Sequence, residues 1–231
     1  MSTNSLPGVE WSKVALKDGP SRRRLGPPSP ASMLRADAAA DRALPVSRDG
    51  GPNEHALATW WTFWGRGHMP SKDKSWESER LHEIETVEAW WRLNGALQLP
   101  STLSAGTDYQ LFRRGVKPTW EDPANATGGK WTLCPARKSH PLLVDECWQA
   151  LVLAALGDAF CREGDADYDE ITGVSLASRR GGVYKVSLWT KTRDEALQKR
   201  IGAKIRSLVD LPESSKLWFA AHDSPDTLYE A

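Results

Sequence analysis

Apolar and polar residues change rhythm along this chain, and the changes mark out its elements. Leu57, Thr59, Trp61 and Phe63 alternate with Ala58, Trp60 and Thr62, a two-residue period that predicts a strand with large side chains on both faces. Residues 80–85 alternate apolar with charged positions, as a half-buried strand does. The period then lengthens. Thr86 is placed to cap a helix that carries Glu88 in its first turn and runs towards Leu97. Short strands are expected over 109–112 and 130–134, the second entered through Gly128 and Gly129.

A longer helix is expected over 142–160, because Val144, Trp148, Leu151 and Ala155 recur at helical spacing and Gly157 marks the end. Residues 171–177 and 183–190 predict a hairpin across the turn at 179–182. A third helix is expected over 194–209, with Leu197, Ile201, Ile205 and Leu208 on one face and Glu195 four residues before Lys199. Residues 216–221 read as the last strand. Strands interrupted by three helices predict an α+β fold, an antiparallel sheet with its helices on one side.

The first 54 residues break this texture. They hold seven of the fifteen prolines and few large apolar residues, too little to offset the entropy of ordering. A disordered tail is therefore expected over 1–54, followed by a single domain over 55–231. Lys plus Arg equals Asp plus Glu at 30 each, so any nucleic-acid site must be local instead of a general basic coat. Cys134, Cys147 and Cys161 form no CxxC pair, which suits free thiols in a reducing compartment. No apolar stretch approaches a bilayer span. The expected location is the cytoplasm, with the nucleus as a second one, and the expected state is a monomer away from membranes.

Catalytic and metal-binding patterns fail one by one. Lys130 follows two glycines, but Trp131 stands where a phosphate-binding P-loop needs Ser or Thr. Asp165, Asp167 and Asp169 open like a calcium loop, yet Glu170 takes the place of its glycine and Leu176 the place of its closing glutamate. Cys134, His140 and Cys147 have no zinc spacing. No enzyme, cofactor or metal is expected.

What the chain has in excess is tryptophan: twelve residues, eleven of them after position 59. A core uses only a few, so some are available as exposed stacking surfaces. Trp76 and Trp120 stand in polar, turn-like surroundings, within Lys74-Ser75-Trp76-Glu77 and Pro118-Thr119-Trp120-Glu121-Asp122.

These two segments, with His55-Ala56-Leu57, Thr86-Val87-Glu88-Ala89-Trp90-Trp91, Asp108-Tyr109-Gln110-Leu111-Phe112, Gly128-Gly129-Lys130-Trp131 and Val186-Ser187-Leu188-Trp189-Thr190, make seven anchors in order. Together they resemble the eukaryotic translation initiation factor 4E family over roughly 55–221. The resemblance implies a curved antiparallel sheet with three long helices on its convex face and a slot for the 7-methylguanosine cap of mRNA on its concave face. It further implies that Trp76 and Trp120 sandwich the methylated base, that Glu121 accepts the guanine N1–H and N2–H, and that Trp189 contacts the N7-methyl. Arg179 or Arg180, with Lys185 and Lys130, would hold the phosphates. Lys130 stands where members commonly carry arginine, and Gly182 where they often carry lysine.

The same resemblance implies a second site on the helices, where a scaffold of the 4G type or a 4E-binding protein docks. The matching positions are His55, Val87, Trp91, Gln149, Ala150 and Leu153. Ala56 replaces a typical proline, Gln149 an apolar residue and Ala150 a glutamate. A translation initiation factor is the first expectation, a cap-binding repressor the second, and a nucleotide-hydrolysing or decapping enzyme the third.

Overall fold

The computed structural model describes residues 54–67, 78–135, 142–161, 166–212, 215–224 and 226–231. Of the expected tail over 1–54 only Glu54 is described, bonded to Thr86 and Arg92; the rest of it, Trp76, His140 and Asp165 lie outside the described residues. Among the described residues, eight strands form one curved, wholly antiparallel sheet: β1 (Ala56–Arg66), β2 (Glu79–Thr86), β3 (Asp108–Arg113), β4 (Gly129–Leu133), β5 (Ile171–Arg179), β6 (Val183–Thr190), β7 (Leu217–Ala221) and β8 (Thr227–Glu230). Their order across the sheet is β2-β1-β3-β5-β6-β4-β7-β8. The three α-helices among the described residues, α1 (Val87–Ala96), α2 (Leu143–Leu156) and α3 (Glu195–Leu208), have 10, 14 and 14 residues.

Local chemistry accounts for most element boundaries. The Thr86 side chain accepts the Ala89 N–H at 3.1 Å, and Asp194 caps α3 through the Leu197 N–H at 2.8 Å, each satisfying a donor that the first turn leaves open. The β5–β6 hairpin turns on Gly181 and Gly182, whose φ angles of 80° and 73° an L side chain would resist. Lys199 meets Glu195 at 2.6 Å, as their spacing requires.

Two sequence expectations are corrected. The second helix ends with Gly157 as its C-cap, where the glycine marked the end, and does not reach Phe160, because Asp158 takes a positive φ of 48°. The strand at 216–221 is also not the last. After it β8 returns along β7 as a four-residue, largely exposed edge, too short to show a period.

Alternation along the strands separates the two faces. Tyr109, Leu111, Trp131, Leu133, Val186 and Leu188 point into the core under the helices and are almost wholly buried. There α2 packs on β5 and β6, and α3 on β7 and β8. Gln198, an unexpected buried polar residue, sits where the α3 pattern reads as an apolar stripe. Its amide accepts from Trp131 Nε1 at 3.1 Å and donates to Glu170 Oε1 at 3.0 Å. Glu170 also accepts from the Thr192 N–H and hydroxyl, while burial pushes its carboxyl up from the usual range. This acidic residue is structural. Nearby, Asp167 and Asp169 pair with Arg200 and Lys191. No described helix is long and apolar enough to cross a membrane.

Candidate functional site

The sheet face without helices carries a cavity of about 650 Å³, within the range of small-molecule sites. The register explains its lining. Phe112, Gly173, Trp189, Lys130 and Ala220 stand in one row across β3, β5, β6, β4 and β7. Gln110, Ser175, Ser187, Thr132 and Trp218 form the next row. Asp108, Ala177 and Lys185 form a third. Small polar side chains thus make the middle of the floor, with indoles and cations around them.

Trp120 stands at this cavity on the β3–β4 loop, 53% exposed although it is among the largest apolar side chains. The loop beneath it is held from inside. Asn125 is fully buried and donates through Nδ2 to the carbonyls of Lys117 (3.0 Å) and Thr119 (2.8 Å). Asp122 accepts the N–H groups of Lys117 and Ala124. Gly128 ends the loop, and a Cβ there would fall 1.8 Å from the Thr190 carbonyl oxygen, so only glycine fits. Glu121 shares the turn and is exposed, with no hydrogen bond among the described residues. It is not one of the cavity's lining residues.

Trp189 is placed differently. It is 8% exposed, its Nε1 donates to Ser175 Oγ at 2.9 Å, and its ring meets Phe112 edge-on at 5.2 Å between centroids. His222 lies over it at 4.2 Å, and the Lys130 ammonium is 5.0 Å from its centre. Only a small part of this indole is left for a ligand.

The cations of the sequence reading separate here. Lys130, Lys185 and Arg179 line the cavity, whereas Arg180 belongs to the exposed β5–β6 turn and does not. Burial, then the charges of Lys185 and Arg179, holds the Lys130 amine below its ordinary value. Three positive groups in one half-enclosed space repel one another, and an anion among them relieves that repulsion. Arg179 also bonds to Asp108, and so does Arg66 from β1; two guanidiniums on one carboxylate leave a net positive charge. Arg66, Trp218 and His222 escaped the sequence reading. For Arg66, extending the alternation of β1 beyond Phe63 was the available signal.

Known proteins now bear on the fold and slot. A family described as eukaryotic initiation factor 4E matches residues 56–228, which is most of the chain. The chain belongs to this family. The 4E factor of Eremothecium gossypii is 36% identical over 174 residues, 74% of this chain and 79% of its own. Two solved 4E structures are also similar. One is C. elegans eIF4E-3 with the 4E-binding protein Mextli and a cap analog, at a TM-score of 0.68 and 30% identity, covering 77% of this chain and 99% of that one. The other is Ascaris suum eIF4E-3 with m7G cap, at 0.67 and 28%, covering 77% and 96%.

On the helix-bearing side of this 4E family member, Val87 and Trp91 lie four apart on α1, 37% and 49% exposed, and Leu153 of α2 is 39% exposed. His55 sits at the start of α1. Its N–H and Nδ1 meet the two Glu88 oxygens at 2.8 and 2.7 Å, and its carbonyl accepts the Val87 N–H at 2.9 Å. The bonds from His55 hold Glu88 down at about 2 and raise the imidazole. Gln149 and Ala150 are half-buried on α2, and the Gln149 Nε2 is enclosed without an acceptor among the described residues.

Proposed function

We propose that this chain binds the 7-methylguanosine cap of mRNA in the open-face slot and brings capped message to a scaffold as a translation initiation factor. The observation that carries the reading is Trp120: an exposed indole on a braced loop, beside a nucleotide-sized, cation-lined cavity. Trp76 would close over the other face of the base from the segment between β1 and β2. N7-methylation gives the base a positive charge, so indole faces attract it beyond ordinary stacking, at roughly 1–3 kcal/mol per stack. The Glu121 carboxylate would accept the N1–H and N2–H of guanine, which adenine cannot offer. Trp189 would meet the methyl group with its accessible edge, and Lys130, Lys185 and Arg179 would hold the phosphates. Solved relatives that hold a cap analog and an m7G cap support this assignment.

Recognition of this kind is binding without bond breaking, so we assign no catalysis. On the helices, the Val87, Trp91 and Leu153 patch suits the apolar face of an amphipathic helix, as a 4G-type scaffold or a 4E-binding protein would present. The C. elegans complex with Mextli supports a partner of the second kind. Gln149 and Ala150 stand on this surface where an apolar residue and a glutamate are typical, which keeps a repressor role as the alternative.

The deciding experiment is a fluorescence titration with m7GTP and with GTP. The expected result is quenching by m7GTP at an affinity at least about 10-fold above that for GTP, with Glu121→Ala abolishing it. Equal affinity for the two nucleotides would end the assignment. Release of nucleotide from m7GTP in the presence of magnesium would replace it with an enzyme.

A further inference from the structure

A third indole faces the slot. Trp218 is half-buried on β7, opposite Thr132 of β4 and Glu230 of β8, and it lines the same cavity as Trp120 and Trp189. The guanine reading gives it no task. Part of the indole packs against the sheet, yet among the described residues it makes no side-chain hydrogen bond and no ring contact. Its row neighbours Thr132 and Ser187 are small, bonded to each other at 3.0 Å, and leave the indole standing over a low polar floor. The accessible part of such an indole offers a flat apolar face on which another planar group can stack.

Position suggests what that is. Trp218 lies two strands and one row from Trp189, roughly 10 Å across and 7 Å along the sheet. Lys130 stands between them, on β4 and in the row of Trp189. An anionic chain that leaves a base at Trp120 and Trp189 and turns towards β7 passes Lys130 before it reaches Trp218. We infer that Trp218 is a stacking platform for the base of the first nucleotide after the cap, with Lys130 beneath the bridging phosphates. This inference rests on the cap reading. Stacking on an indole tolerates any base, because each has a π face, so this subsite adds affinity for message with little sequence preference.

The test compares m7GTP with the dinucleotide m7GpppA on the wild-type chain, Trp218→Ala and Trp218→Phe. Trp218→Ala is expected to weaken m7GpppA about 5-fold or more while moving m7GTP by less than about 2-fold, and Trp218→Phe to restore most of the loss. The unchanged m7GTP affinity reports that the variant is folded. If Trp218→Ala shifts both ligands equally, or neither, Trp218 is a wall of the slot and the inference is overturned. If the wild-type chain binds neither ligand, the cap reading falls and the subsite falls with it.

Discussion

The two faces of this sheet use the same residue type for opposite ends. Under the helices, Trp61, Trp90, Trp131 and Trp148 are essentially inaccessible, and Trp131 is tied by its N–H to the buried Gln198. On the open face, Trp120 is 53% exposed, Trp218 is partly buried, and Trp189 is clamped with little of its ring accessible. Residue chemistry does not separate these groups. Partners do: a core indole is surrounded by side chains from a helix, whereas a slot indole stands beside small polar residues, cations or an open loop. Stability and recognition should therefore come apart by face.

The sharpest challenge to that separation is Trp131→Ala. It empties a filled site and strands the Gln198 carbonyl oxygen, at a cost of about 3–5 kcal/mol and a fall in Tm of roughly 6–20 °C, read by thermal unfolding. A stable Trp131→Ala would show that the core does not depend on this face. Asn125→Ala comes next. It frees two loop carbonyls and should cost about 1–3 kcal/mol, expressed mainly as weaker m7GTP binding because the loop carries Trp120. Asn125→Asp should fail alike, since a carboxylate cannot donate to those carbonyls.

Trp120→Ala is the mirror of the first variant: about 10-fold or more lost in m7GTP affinity with Tm unchanged. A large loss of Tm there would mean that the exposed indole braces the fold. The smallest effect concerns pH. Burial, then the charges of Lys130 and Arg193, depresses His222 to about 4 from an ordinary 6.5. The unfolded chain takes up this proton first as pH falls, so the contribution of His222 to stability is present above about 6.5 and is lost on descending towards 4. His222→Phe keeps a ring over Trp189 and should flatten the fall in Tm across that window.

Much of this was legible along the chain, for local reasons. The Thr86 cap, the β5–β6 hairpin and the apolar stripe of α2 each depend on residues a few positions apart. The segment around Trp120 announced itself because a tryptophan between Pro118 and Asp122 has no apolar neighbours to hide among. Other features left no such trace. The Gln198 contact with Trp131 spans 67 positions, and the Arg179 contact with Asp108 spans 71. Four residues of β8 are too few to show a period. Trp218 reads as one more apolar residue of a short strand until β4 is known to lie beside it.

Sequence alone determined which residues alternate, where helices begin, and that tryptophan is in excess over what a core consumes, because backbone geometry turns spacing directly into faces. It also carried enough ordered anchors to indicate the family. Which tryptophans are covered, which of Arg179 and Arg180 lines the slot, and which small side chains stand beside Trp218 were settled only by the tertiary structure. There β4 is inserted between β6 and β7. Pairing of strands distant along the chain depends on what the whole sheet can bury, and no local spacing encodes that.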